Sequence, residues 1–173
     1  MGHRDIQLMQ MTPEEVEGIL LDAVMLECRG NPCAASDLVP GVVAKSSLET
    51  YRAGQDWFWC APRLFCDASL RSIVGSGCFK GSPVEGQVEI GYGVAETEEG
   101  KGYATAGVAC MVEEAFSHGG VGAVIAETSI HNPASQRVLE KNGFRQIGER
   151  QDPEDGPLIR WQRDRIVLLP DAG

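Results

Sequence analysis

The amino-acid sequence predicts one mixed α/β domain over residues 1–173, in the order β-α-α-β-β-β-α-β-α-β-β. Three observations predict it. Apolar residues switch along the chain between the two-residue period of strands and the 3.6-residue period of helices. A length of 173 residues holds a single domain with a sizeable core, and is short for two ordinary ones. Gln87 to Thr105, QVEIGYGVAETEEGKGYAT, reads as a strand, a glycine loop and a helix start. That order leaves free backbone N–H groups at a positive helix terminus.

Each element has its own signal. Ile6–Met11 is a short apolar stretch and the first strand. Thr12-Pro13-Glu14-Glu15 is a capping box with proline at the first helical position. Val16, Ile19, Leu20 and Ala23 follow at helical spacing. Cys28–Pro40, rich in small and turn-forming residues, reads as a loop or a broken helix. Val42–Tyr51 is the second helix. Trp57–Asp67, WFWCAPRLFCD, has strand composition, with Pro62 marking an edge or a bulge. Cys60 and Cys66 would share a face of that strand. Ser72–Lys80 is the next strand, and Gly81-Ser82-Pro83 turns the chain into Gln87–Ala95 to give an antiparallel meander.

From Gly102 the period becomes helical, with Ala104, Val108, Met111, Val112 and Ala115 on one face. His118-Gly119-Gly120 is the expected C-cap. Val121–Ser129 is a buried-type strand. Asn132-Pro133-Ala134-Ser135 opens the last helix, which Asn142-Gly143 stops. Phe144–Gln151 and Leu158–Val167 are the final strands, around a turn at Asp152–Pro157.

Composition narrows the function. A net charge of −10 disfavours non-specific binding to nucleic acid and is compatible with a cationic partner such as an amine. Hydrophobic residues at 43% fit a soluble globular protein. No apolar run is long enough to span a bilayer, and no secretion signal stands at the N-terminus, so a cytoplasmic location is expected. The six cysteines form no C-x-x-C pair, and no histidine lies at zinc-ligand spacing from them. They read as small buried hydrophobes, and no metal is expected.

Gly100-Lys101-Gly102 lets a ligand approach the backbone closely, and Lys101 adds a mobile positive charge. The spacing is neither G-x-G-x-x-G nor G-x-x-x-x-G-K-[ST], which disfavours a dinucleotide fold and a P-loop. On its own the loop is equally explained as a structural turn.

Two blocks go further. Glu89-Ile90-Gly91-Tyr92 through Glu99-Gly100-Lys101-Gly102-Tyr103-Ala104-Thr105 is the first; Asn132-Pro133-Ala134-Ser135-Gln136-Arg137-Val138-Leu139-Glu140-Lys141-Asn142-Gly143-Phe144 is the second. In this order, on these elements, they resemble the GNAT superfamily of acyl-CoA-dependent N-acetyltransferases. They look most like the branch that includes the ribosomal-protein N-terminal acetyltransferases RimJ and RimL. The resemblance covers about Ile6 to Arg163 and implies a twisted, mostly antiparallel sheet of about seven strands flanked by about four helices, with a V-shaped cleft where two strands splay. It implies acetyl-CoA as co-substrate and an amine acceptor, either a protein N-terminus or a small molecule; a homodimer is compatible with it.

By the same resemblance, backbone N–H groups of Gly100, Lys101, Gly102, Tyr103, Ala104 and Thr105 would hold the pyrophosphate. Val94 and Ala95 would pair with the pantetheine arm, Asn132 would contact it, and Ser135 would lie near the thioester sulfur. The sequence departs from the family at several positions. Thr97 stands where a basic or amide residue is usual and Glu99 where the branch usually has arginine, with Glu98 between them; the glutamates would either repel the phosphates or point to solvent. Gly93 replaces a bulky aromatic, which implies a wider acceptor site. Leu139 replaces a frequent tyrosine acid and has no proton to donate.

Acetyl transfer needs a neutral amine, a polarised thioester and a proton for the leaving thiolate. Glu89 is the first choice as base, through water, or else a group that orders water or pairs with a neighbour. Glu127 is the reserve. Ser135 would donate to the sulfur, or bond its own helix backbone. His131 would shuttle protons or stay exposed; His3 and His118 have no assigned role. Tyr92 and Tyr103 read as packing residues, and Trp57, Phe58 and Trp59 as pocket lining or core. A non-catalytic acyl-CoA-binding sensor or scaffold is the alternative.

Overall fold

The computed structural model describes residues 4–22 and 24–171. The readings placed on His3 and Ala23 lie outside them.

The chain runs β1 (Ile6–Gln10), α1 (Pro13–Asp22), β2 (Glu27–Cys28), β3 (Asn31–Pro32), α2 (Gly41–Arg52), α3 (Trp57–Cys60), β4 (Arg63–Asp67), β5 (Ser72–Phe79), β6 (Gln87–Val94), a 3-10 turn (Glu96–Glu98), α4 (Tyr103–Phe116), β7 (Ala123–Ser129), α5 (Pro133–Lys141), β8 (Arg145–Asp152) and β9 (Gly156–Asp164). Seven strands form one sheet in the order β1-β4-β5-β6-β7-β9-β8. Among these seven strands only β6 and β7 pair in parallel. This is the mostly antiparallel mixed sheet that the resemblance implies.

Two apolar clusters cover the sheet. Val16 and Ile19 of α1 with Ala44 and Leu48 of α2 pack on Leu64, Cys66 and Ile73. On the opposite face Val108, Met111, Val112 and Ala115 of α4 and Leu139 of α5 pack on Phe65, Val74, Ile90 and Val124. Each large side chain so buried stabilises the fold by about 1.5–3 kcal/mol.

The capping box forms as the sequence predicts. Thr12 N–H donates to Glu15 Oε2 at 2.9 Å, and Glu15 N–H to Thr12 Oγ1 at 3.2 Å. Arg29 then grips the same carboxylate with two bonds of 2.8 Å and holds the Glu15 carboxyl below its usual range. The end of α5 also follows the sequence. Gly143 adopts φ 77°, Phe144 N–H reaches Leu139 O at 3.0 Å, and Leu139 and Phe144 both enter the core.

Three expectations need correction. The run Trp57–Asp67 is not one strand: Trp57–Cys60 is a short helix, and the strand begins at Arg63. Asp56 caps that helix by accepting from Phe58 N–H at 2.8 Å. Cys60 and Cys66 therefore share no strand face. Among the described residues five helices flank the sheet, in keeping with the about four expected, α3 being the short addition. The glycines after α4 do not end it; Ser117 does, its hydroxyl donating to Glu114 O at 2.6 Å. Within Cys28–Pro40 the ladder of β2 and β3 gives the loop a small two-stranded ribbon.

Candidate active site

The parallel pair β6–β7 is short. Gln87–Ile90 pair with Ala123–Ala126, and beyond them β6 runs on to Val94 and β7 to Ser129 without pairing to each other. The V-shaped cleft opens there. Helices α4 and α5 follow β6 and β7 respectively, so both N-termini flank the gap.

A cavity of about 360 Å³ occupies it. Tyr92, Gly93 and Val94 form one wall, Glu98–Gly100 and Gly102–Thr105 a second, and Asn132, Ser135, Arg137, Val138 and Lys141 the third. Gly100 and Gly102 take φ 72° and 87°, where a side chain costs strain. Among the described residues, the N–H groups of Gly100 to Thr105 have no protein acceptor. A second cavity of about 550 Å³ borders the same strand end. Small residues, Ser76, Cys78, Gly91 and Gly93, line it together with Leu38 and Val43, and Asp37 and Glu96 add negative charge. Tyr92, Gly93 and Val94 border both cavities. A Cβ built on Gly93 meets nothing within 4 Å, so the missing aromatic does leave open space.

The family model described as "Acetyltransferase (GNAT) domain" matches residues 34–145. The chain belongs to the GNAT acetyltransferase family. Solved structures repeat its fold at low identity. One is a chimera of spermidine N-acetyltransferase SpeG from Vibrio cholerae and hSSAT, 12% identical, TM-score 0.64, covering 92% of this chain and 95% of that one. Another is aminoglycoside acetyltransferase AAC(6')-Ib in complex with coenzyme A, 20% identical, TM-score 0.62, covering 93% and 95%. A GNAT-family acetyltransferase from Bacillus anthracis is 15% identical, TM-score 0.63, covering 95% and 96%. No curated protein sequence matches the chain.

Within this GNAT fold most expected site residues converge. Val94, Gly100, Gly102, Tyr103, Ala104, Thr105, Asn132 and Ser135 all line the first cavity. Lys101 does not; its Nζ pairs with Glu98 Oε2 at 3.0 Å, and its carbonyl accepts from Arg4 Nε at 3.0 Å. Ala95 lines only the second cavity, and its N–H is taken by Val74 O at 2.8 Å, away from the cleft. Asn132 spends its Oδ1 on the Ser135 N–H at 3.0 Å, capping α5. Glu98 and Glu99 both face the cavity rather than turning wholly to solvent.

Sequence reasoning missed the charges opposite them. Arg137 and Lys141 are one helical turn apart on α5 and line the facing wall. Their spacing was the available signal. It also missed the partner of Ser135. Tyr92 Oη lies 2.7 Å from Ser135 Oγ and donates to Ser135 O at 3.2 Å. Burial pushes the Tyr92 phenol up, so it stays neutral, although the Ser135 bond opposes this.

The other candidates are engaged elsewhere. Glu89 lines neither cavity, and its Oε1 holds Lys80 Nζ at 2.6 Å. Glu127 takes two bonds of 2.7 Å from Arg150, which hold its carboxyl down, the reverse of what a base needs. His131 is exposed outside both cavities. Trp57 donates to Met11 O at 2.8 Å, Trp59 is core and Phe58 packs on it; none lines either of these two cavities.

The glycine loop is braced from below. Buried Tyr103 donates its phenol to Asp67 Oδ2 at 2.7 Å, and the Arg4 guanidinium sits 4.8 Å over the Tyr103 ring. Burial pushes the Asp67 carboxyl up, but bonds from Ser69, Tyr103 and the Leu70 N–H outweigh it, and it falls to about 2. The unfolded value is about 3.9. The stabilisation is therefore complete above about pH 4 and lost as pH falls towards 2. Tyr103→Phe removes one donor, so the acid-dependent fall of Tm becomes smaller. Identical acid limbs in the two proteins would remove the phenol from this account.

Proposed function

We propose that this protein transfers acetyl from acetyl-CoA to a primary amine by direct attack in a ternary complex. The observation that carries the reading is the meeting of two cavities at Tyr92–Val94. The first suits the thioester. Its six unpartnered N–H groups, Gly100 to Thr105, fit a pyrophosphate at a helix N-terminus. Lys101 takes part through its backbone, since its ammonium is held by Glu98. Arg137 and Lys141 offset the two glutamates. Val94 is the strand residue for the pantetheine arm, with Asn132 and Ser135 beside the sulfur.

The amine enters from the second cavity. Holding both reactants in one geometry supplies much of the rate. Glu89 is the candidate base, through water, once Lys80 releases it. Lys80 lines the amine cavity, so an arriving ammonium competes for that carboxylate. Ser135 protonates the leaving thiolate. Buried Leu139, at 0% exposure, takes no part.

At finer grain we place the chain in the branch of RimJ and RimL, as one domain over 1–173, cytoplasmic, acting as a monomer or homodimer. The acceptor is then a protein N-terminal α-amine or a small amine. An α-amine, with pKa near 8, is easier to neutralise than a lysine near 10.4. The open space over Gly93 admits either.

The test is free CoA and an acetylated product from acetyl-CoA with kanamycin, spermidine and a short peptide with a free N-terminus. CoA release with at least one amine is expected. Tight CoA binding without release across the panel would leave the non-catalytic acyl-CoA-binding module. Glu99→Arg is expected to tighten CoA about fivefold, from roughly 1 kcal/mol of relieved, solvent-screened repulsion. Unchanged affinity by titration calorimetry would place Glu99 away from the phosphates.

A further inference from the structure

We propose that Tyr92 is the proton store behind Ser135, the two hydroxyls forming a relay from β6 to α5 that protonates the leaving thiol. The inference rests on the acetyl-transfer reading and names a residue that reading does not require.

The geometry is specific. Tyr92 Oη sits 2.7 Å from Ser135 Oγ across the splayed cleft, and a second contact of 3.2 Å to Ser135 O fixes the phenol against the first turn of α5. Each hydroxyl is both donor and acceptor, so one proton can move inward as another moves outward. The other hydroxyls and the carboxyls around the cavity are unsuited. Tyr103 has turned its phenol to Asp67. Leu139 carries no proton. Glu98 and Glu99 belong to the loop that follows β6, with Glu98 tied to Lys101. Thr105 lies in the first turn of α4, at the phosphate-binding end. Burial keeps the Tyr92 phenol protonated, as a store must be.

The step balances without any further reactant. The amine nitrogen bonds to the thioester carbonyl carbon, and the C–S bond breaks with its electron pair going to sulfur. Ser135 Oγ passes its proton to that sulfur and takes the phenolic proton of Tyr92. Glu89 takes the first proton of the arriving ammonium, and the second, shed by the nitrogen on attack, returns to the Tyr92 oxygen through water. Net transfer is one proton from nitrogen to sulfur. Tyr92 acts through Ser135 and is a positioning residue as well as a store.

The test compares wild type and Tyr92→Phe, using acetyl-CoA and whichever panel amine is turned over. The ring is kept, so the packing of Tyr92 on the core survives. Expected are a fall in kcat of about 10–100-fold and a KM for acetyl-CoA within about twofold of wild type. Rates in mixtures of H2O and D2O should curve for wild type, reporting two moving protons, and fall on a straight line for Tyr92→Phe. The double variant with Ser135→Ala should be no slower than Ser135→Ala alone. An unchanged kcat, equal losses in kcat and CoA affinity, or a straight line for wild type each overturns the relay alone. Failure of wild type with every amine overturns the acetyl-transfer reading and the relay with it.

Discussion

Gly102→Glu should abolish measurable CoA binding while leaving the chain folded. Gly102 has φ 87° and is the residue before α4. A side chain there costs about 1–2 kcal/mol in backbone strain. The larger effect is on the ligand. The new carboxylate would stand at the mouth of the N–H row Gly100–Thr105, where phosphate oxygens are expected to dock. Two unit charges about 4 Å apart near a protein surface repel by about 4 kcal/mol. Even half of that, added to steric exclusion, weakens CoA by well over tenfold. Beyond that strain, no described atom crowds the new side chain, since the nearest to a Cβ at Gly102 is Arg4 Cγ at 3.9 Å. Calorimetric titration with CoA on the folded variant decides the matter. Retained affinity would mean that the phosphates lie elsewhere and that the glycine loop is a structural turn.

The loop was legible because all its information is local. Strand, glycines and helix start occupy adjacent residues, and their order alone sets the N–H row. The capping box of Thr12 and Glu15 and the Gly143 stop were legible for the same reason. Ambiguity entered where composition allows two answers. Trp57–Cys60 is aromatic and apolar, and those residues suit a buried strand as well as a buried helix. Asp56, one residue upstream, was the missed sign of a helix start. After α4 the reverse happened: glycines were present, but Ser117 had already closed the helix.

The site was legible residue by residue and less so as a set of contacts. Ser135 could be picked out from its block, but its partner Tyr92 lies 43 residues away and meets it only because β6 and α5 flank the splay. Lys101 reads as a free cation in sequence, yet Glu98 neutralises it three residues away. The positive charge facing the cavity comes instead from Arg137 and Lys141, whose orientation depends on how α5 packs against α4. Asn142 helps set that packing, bonding Thr105 O at 3.1 Å and Val138 O at 2.9 Å. A long-range contact of this kind has no signature in a single sequence.

Arg63→Ala should cost about 3–5 kcal/mol of stability, the usual penalty for breaking a buried ion pair. Arg63 opens β4 with a side chain that is 0% exposed. It pairs with Glu114 of α4, and donates to Ala61 O and Phe58 O, each at 2.7 Å. The guanidinium lies 4.6 Å from the Phe58 ring centre and 4.5 Å from that of Phe79. One side chain thus closes the end of α3, joins it to α4, and fills the space between two rings. Burial lowers the Arg63 pKa, and the Glu114 carboxylate opposes that, so the guanidinium stays charged. Removing it leaves two carbonyls without their donor, at about 1–3 kcal/mol for each that water cannot reach. Glu114, with 28% of its side chain exposed, can hydrate and limits the damage on its side. Arg63→Lys should recover only part of the loss, because one ammonium cannot reproduce the planar fork or stack on both rings. In a chain of this size the alanine variant should melt about 10 °C lower. Denaturant unfolding gives the same quantity independently. A loss below about 1 kcal/mol for Arg63→Ala would mean that the aromatic packing, and not the charge network, holds α3 in place.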